Sequence, residues 1–193
     1  MDTFRDQDAA AEYARGLLRG ERIRLRAATD EDLAEVERWW NDPETAVLQQ
    51  ASILPRPGGA VNDLLRSWSA NASPGSVGFA VEEEADGSLA GHVALWGGAA
   101  PQRCGTLAVV LGPYARGRGL GTDAVRTLVR YGFAELGLHR IELRAWAFNK
   151  RARAAYRRSG FIEEGRRRDA LFHAGRFHDE ILMSVLAHEF PHA

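Results

Sequence analysis

A chain of 193 residues can bury one sizeable core but not two ordinary ones, so a single domain is expected over residues 20–193, preceded by an arm or flanking helix at 1–19. Its 25 basic and 26 acidic residues nearly cancel, which argues against nucleic acid as a partner and against an acidic disordered chain. No apolar run approaches the roughly 18 residues of a membrane span, the first residues lack the charge and polarity of a secretory signal, and the lone Cys104 has no disulfide partner, so a cytoplasmic, membrane-free protein is expected.

Residues 1–19 are polar with an apolar thread at Tyr13, Leu17 and Leu18. Ile23, Leu25 and Ala27 alternate with arginines as a half-buried strand does. Thr29 or Asp30 is placed to cap a helix carrying Leu33, Val36, Trp39 and Trp40, and Asp42-Pro43 ends it. From 41 to 59 the prolines at 55 and 57 and the glycines at 58 and 59 predict an irregular connection. A short helix follows over 61–70, then strands over 77–83 and 89–96 joined by the hairpin signal Ala85-Asp86-Gly87-Ser88.

Residues 103–111 read as the central strand, and after a Gly112-Pro113 break the chain alternates arginine with glycine from Arg116 to Gly121. Glycine lets backbone N–H groups approach a ligand closely, and the helix start that follows leaves N–H groups unpaired at a positive dipole end, an arrangement suited to phosphate. The same loop can also be an ordinary strand-to-helix turn with solvated arginines. Gly121-Thr122 lacks the lysine of a P-loop, and glycines spaced every second residue fail the dinucleotide-binding pattern, although Glu142 sits about 20 residues downstream as that motif's ribose acid would. The order that fits is Arg-x-x-Gly-x-Gly, met by Arg116, Gly119 and Gly121.

Next comes a helix with Val125, Leu128, Val129, Phe133 and Leu136 on one face, ending at Gly137. A strand over 140–148 puts Ile141, Leu143 and Ala145 on one side and Glu142, Arg144 and Trp146 on the other. Asn149 starts a short helix to Ser159, Gly160-Phe161 opens a strand, and residues 169–175 are expected to turn into a last strand over 177–186.

Two blocks, in order and one strand apart, carry a family resemblance. The glycine loop and Asn149-x-x-Ala152-x-x-x-Tyr156-x-x-x-Gly160-Phe161 together resemble the GNAT superfamily of acetyl-CoA-dependent N-acetyltransferases. Between Gly20 and Glu189 the chain also resembles the branch of ribosomal-protein N-terminal acetyltransferases (Rim-like), on Glu21-Arg-Ile-Arg-Leu-Arg26, Trp40-Asn-Asp-Pro-Glu44, Leu138-His-Arg-Ile-Glu142 and Gly175-Arg-Phe-His-Asp179. That branch includes antibiotic and other small-molecule acetyltransferases, so it implies the reaction and not the acceptor.

The resemblance implies an α/β (α+β) fold whose mixed, strongly twisted sheet parts like a V between strands 103–111 and 139–148, and acetyl-CoA as co-substrate without a metal. The pantetheine arm would pair with backbone groups of Val109 and Leu111 and be held by Asn149. The N–H groups of Arg116, Gly117, Arg118, Gly119, Leu120, Gly121 and Thr122 would take the pyrophosphate. An amine would attack the thioester to give a tetrahedral oxyanion stabilised by backbone donors near Leu111, and Tyr156 would protonate the leaving thiolate. The residue pattern alone also fits Tyr156 as a core tyrosine. Glu142 is the candidate base, although its spacing to Asn149 exceeds that of members using a carboxylate there and Arg144 shares its strand face. An α-amine, with a pKa near 8 against about 10.4 for lysine, would need only a water chain.

Other residues admit plainer readings. His173, His178 and Asp179 lack the further ligands of a metal site, His92 is either an acceptor-cleft residue or a satisfied strand histidine, and Cys104 is a lone thiol rather than an obvious nucleophile. The arginines at 151, 153, 157, 158 and 166–168 read as a solvated face plus a 3′-phosphate contact. Acids at 30, 31 and 32 suit a helix N-terminus, whereas Asp42 and Glu44 lie past the expected helix end, which points to a cationic amine acceptor: a protein or peptide N-terminus, then a polyamine or aminoglycoside-like antibiotic. The other functional class is an acyl-CoA-binding regulatory or scaffold module without turnover, against which Tyr156 stands. A homodimer is left open.

Overall fold

The computed structural model describes residues 4–49, 53–73 and 75–191. Strands β1 (Ile23–Arg26), β2 (Val77–Glu83), β3 (Leu89–Trp96), β4 (Cys104–Leu111), β5 (Arg140–Trp146), β6 (Ile162–His173) and β7 (Arg176–Leu186) form one sheet in the order β1-β2-β3-β4-β5-β7-β6. Only β4 and β5 run parallel, and the chain between them makes the crossover, mostly as helix α5 (Leu120–Ala134), so the mixed α/β architecture expected from the sequence is the one observed. Helices α1 (Gln7–Leu17), α2 (Asp30–Asn41), α3 (Pro43–Gln49), α4 (Ala60–Trp68) and α6 (Lys150–Arg158), with a 3-10 turn over Pro113–Ala115, complete the elements of the described residues.

Strand alternation sends side chains to two cores. Leu107 of β4 and Ile141, Leu143 and Ala145 of β5 pack with Leu120, Ala124, Val125, Leu128 and Val129 of α5 on one face. On the other, Val110 packs with Leu33, Val36 and Trp39 of α2 and with Val61 and Leu65 of α4. The arm of residues 1–19 is a docked helix: Tyr13 donates to Glu135 at 2.7 Å, and Arg130 Nη2 donates to the carbonyls of Gly16, Leu17 and Arg19 at the C-terminal end of α1.

Two expectations are corrected. The connection over 41–59 is not irregular throughout, because α3 begins at Pro43; residues 50–52 lie outside the described residues. Pro43 ends α2 and also opens α3, where its missing N–H costs nothing. Residues 169–173 do not turn but continue β6 past a register shift between Arg167 and Leu171, with Asp169 at φ +47° and its N–H on Asp179 Oδ1 at 3.0 Å. The turn itself is only Ala174-Gly175, both at positive φ as a tight hairpin requires.

His92 is a satisfied strand histidine, buried with Nε2 2.7 Å from Ser69 Oγ. Burial pushes its pKa down from 6.5 to about 4. Between those values the unfolded chain binds a proton that the folded one refuses, so the stabilisation is complete above about pH 6.5 and is lost as the pH falls toward about 4. At about 1.4 kcal/mol per pKa unit the loss is on the order of 3 kcal/mol. His92→Gln, which retains a polar group for Ser69, is therefore expected to lose less stability than the wild type between about pH 7 and pH 5 in urea unfolding. Parallel pH dependences would show that this histidine is not held neutral.

Candidate active site

β4 and β5 pair only at Cys104↔Arg140, Gly105↔Ile141 and Thr106↔Glu142. Beyond Thr106 the strands part, and the gap opens into a cavity of about 240 Å³ lined by Leu107, Ala108, Val109 and Val110 from β4 and by Arg144, Ala145 and Trp146 from β5. A second cavity of about 200 Å³ runs on along the glycine loop. The two share Leu48, Gln49, Val109, Asn149, Ala152 and Tyr156 and are halves of one cleft.

The ladder fixes which backbone groups face this cleft. Gly112 donates its N–H to Ala90 O at 3.0 Å, which makes the neighbouring pair Leu111↔Gly91 a non-hydrogen-bonded one. The N–H and C=O of Leu111, and by the two-residue period those of Val109, therefore point away from β3 and toward the gap. The Leu111 carbonyl accepts from Arg116 Nη2 at 3.1 Å and Nε at 3.3 Å.

At the far end, Gly117 and Gly119 take φ of +81° and +89°, and α5 begins at Leu120 with no side chain capping its first turn. Its free N–H groups border the part of the cleft lined by Gly117, Gly119, Gly121 and Thr122. A Cβ at Gly121 would lie 2.5 Å from Leu111 Cδ1, so that side-chain tip would have to shift to admit one. Leu120 contributes only backbone, its side chain being fully buried. Arg116 and Arg118 do not stand free or solvated at the loop. Arg118 is held by both oxygens of Glu83 at 2.8 and 2.6 Å, and Arg116 reaches Thr45 Oγ1 of α3 at 2.6 Å besides Leu111 O. The cations lining the loop from α6 are instead Arg151 and Arg158. Four other arginines of the chain's basic stretches are paired: Arg153 and Arg157 with Glu163, Arg166 with Asp179, Arg167 with Glu180.

Asn149 caps α6, its Oδ1 accepting from Ala152 N at 3.1 Å, which leaves its amide N–H groups for the cleft. Tyr156, half-buried on α6, lines both halves of the cleft, and its hydroxyl has no hydrogen-bond partner among the described residues. Burial raises its pKa to about 12, so the phenol stays protonated at neutral pH.

Glu142 is not in the cleft. It sits at the closed end opposite Thr106, with its carboxylate 3.3 Å from Arg140 Nε rather than beside Arg144, and Arg140 also holds Glu164. The Cys104 thiol there is pushed up, by burial first and by the Glu142 charge second, against thiolate character. The acids expected to mark the acceptor side are also accounted for locally. Asp42 Oδ1 accepts from Thr45 N at 3.1 Å and so caps α3, Glu44 lies in that helix's first turn, Glu37 accepts from Val61 N at the start of α4, and Asp30 pairs with Arg66. Trp40, Gln49, Leu171 and Glu180 line the cleft and are absent from the sequence-based set. The alternation of β7 puts Glu180 on the face opposite the core residues Ile181, Met183 and Val185, so from sequence it reads as a solvent-facing acid and carries no signal of a cleft. Among the described residues no group of three or more His, Cys, Asp or Glu is arranged to hold a metal ion, and no helix is long and apolar enough to cross a membrane.

The chain is similar to known proteins in sequence and in fold. Residues 22–162 match the acetyltransferase (GNAT) domain. YdaF of Bacillus subtilis, whose role as a ribosomal N-acetyltransferase is itself inferred, is 36% identical over 105 residues, 54% of this chain and 57% of that protein. Spermidine N(1)-acetyltransferase of Escherichia coli K12 is 31% identical over 107 residues, 55% and 58% of the two chains. The aligned region thus spans little more than half of these relatives. Spermidine N-acetyltransferase from Vibrio cholerae, solved with CoA and spermine, superposes with a TM-score of 0.76 at 24% identity, covering 87% of this chain and 97% of that one. A GNAT-family acetyltransferase from Bacillus anthracis gives 0.75 at 18% identity, covering 89% and 98%. At those identities the likeness is one of fold, and the sequence match running from β1 to the start of β6 supplies what fold alone does not: this chain belongs to the GNAT acetyltransferase family.

Proposed function

We propose that this protein transfers the acetyl group of acetyl-CoA to a primary amine on a cationic acceptor, in the cytoplasm. The observation that carries the reading is the cleft itself, in which parted strands present the backbone groups of Val109 and Leu111 beside an unpartnered Tyr156 hydroxyl and lead to the uncapped start of α5. These residues suit a pantetheine arm and a pyrophosphate. Gln49 Oε1 is buried at the waist of the cleft without a hydrogen-bond partner among the described residues and would accept from an amide. The helix start with Arg151 and Arg158 would meet phosphate charge. Pairing an amide with Leu111 O requires Arg116 to release it, which frees one further guanidinium for the phosphates.

Acetyl-CoA supplies a reactive thioester carbonyl and a thiol leaving group. Leu111 N–H, facing the gap, would stabilise negative charge on the carbonyl oxygen. Tyr156 would hold the proton that the departing sulfur takes up; the burial that raises its pKa to about 12 also raises that of any thiolate beside it, which limits the uphill character of the transfer. With Glu142 held by Arg140, water in the open mouth of the cleft would carry away the amine's proton. Kinship with spermidine acetyltransferases supports a polyamine acceptor, and the likeness to YdaF supports a ribosomal-protein N-terminus.

The test is free-thiol release with acetyl-CoA and succinyl-CoA over polyamines, peptide N-termini and aminoglycosides. Thiol release with acetyl-CoA and a cationic amine is expected. Absence of release across the panel, with acetyl-CoA still bound in calorimetry, would overturn the transferase reading in favour of a binding module.

A further inference from the structure

Trp146, Glu180 and Arg167 are register partners across β5, β7 and β6, so their side chains share one face of the sheet. On that face Trp146 and Glu180 both line the cleft mouth. Glu180 is 8% exposed, and its Oε2 lies 2.6 Å from Nη1 of Arg167, whose side chain is half open to solvent. The adjacent acid is committed elsewhere, since Asp179 binds Arg166 at 2.8 Å and the N–H of Asp169 at 3.0 Å. Arg167 stands at the β6 register shift, where the ladder constrains it least.

We infer that Glu180 binds a positively charged group of the acceptor and that Arg167 is the cation this group displaces; the inference rests on the transferase reading above. A buried carboxylate stripped of its partner is costly, and exchange of one cation for another avoids that cost. The wall around it suits an ammonium: Trp146 stacks on Phe148 at 5.2 Å, and Phe148 meets His178 edge-on at 5.2 Å. Arg144 lines the same cleft two residues nearer its closed end, so an acceptor's charge is repelled there and held at the mouth, leaving an uncharged amine to advance toward Val109.

The experiment compares wild type, Glu180→Gln and Arg167→Gln by steady-state kinetics with spermidine and by calorimetric titration of spermidine into CoA-saturated protein. Glu180→Gln is expected to raise the spermidine KM and Kd at least tenfold with the acetyl-CoA Kd unchanged, while Arg167→Gln lowers both spermidine constants. Turnover in the wild type with unchanged spermidine constants in Glu180→Gln overturns the inference and leaves the transferase reading intact. Spermidine binding that depends on Glu180 without any turnover does the reverse. Neither binding nor turnover with spermidine in the wild type overturns the inference, and turnover with the other amines then decides the transferase reading separately.

Discussion

Tyr156→Phe is expected to lower turnover by roughly a hundredfold or more, the usual worth of a positioned acid and equivalent to about 2.7 kcal/mol of barrier, while acetyl-CoA binding persists. The substitution is clean for a structural reason. The hydroxyl has no hydrogen-bond partner among the described residues, so its loss leaves no orphaned group, and the ring that packs near Phe161 at 6.0 Å is retained. Unfolding midpoints should therefore match. Single-turnover acetyl transfer and calorimetric acetyl-CoA affinity, measured on one preparation, separate chemistry from binding. Equal turnover in the two proteins would end the role of this hydroxyl as an acid.

Gly119→Asp is expected to weaken acetyl-CoA well beyond tenfold, more than about 1.4 kcal/mol. The mechanism is occupation as much as repulsion. An aspartate at the residue preceding α5 is placed to accept the N–H groups that this uncapped helix leaves free, and so takes the anion's place with an anion of its own. A side chain at φ +89° costs on the order of 1–2 kcal/mol in backbone strain, which capping partly offsets. Gly119→Asn carries nearly the same shape and strain without the charge, and should lose markedly less affinity. If the two variants bind acetyl-CoA equally, charge at the loop is not what the site reads, and unchanged affinity in folded Gly119→Asp would remove the loop from the site.

Much of the frame was legible because its signals are local. The strands at 77–83 and 89–96 are legible to the residue beside their hairpin signal, Thr29 is the one of the two cap candidates, Thr29 and Asp30, that the helix uses, and Asn149 starts its helix as expected and caps it as well. The glycine loop and Tyr156 were legible as a spacing, and the structure brings Val109, Leu111, Gly117, Gly119, Gly121, Thr122, Asn149 and Tyr156 to one cleft. What could not be read was pairing at a distance. Arg118 finds Glu83, 35 positions away, and Arg116 finds Thr45, 71 away, so two conspicuous arginines of the loop are tied elsewhere. Glu142 looked catalytic by strand position, but the point at which β4 and β5 separate is a property of the sheet and lies beyond it. Helix α3 was hidden because a seven-residue helix carries too few apolar positions for a periodicity, and missing it made Asp42 and Glu44 look like acceptor-binding acids.

The short junction between β4 and β5 also bears on how this protein survives in a cell. Three paired positions join a leaf of four strands to a leaf of three, and past them each leaf has an unfinished inner edge. A ligand that hydrogen-bonds along that edge acts as a surrogate strand, so its binding free energy is added to folding free energy. At a hundredfold excess over its Kd such a ligand contributes about 2.7 kcal/mol. Thermal midpoint and resistance to proteolysis would then follow the concentration of the ligand, and the steady-state amount of protein would follow its metabolic supply.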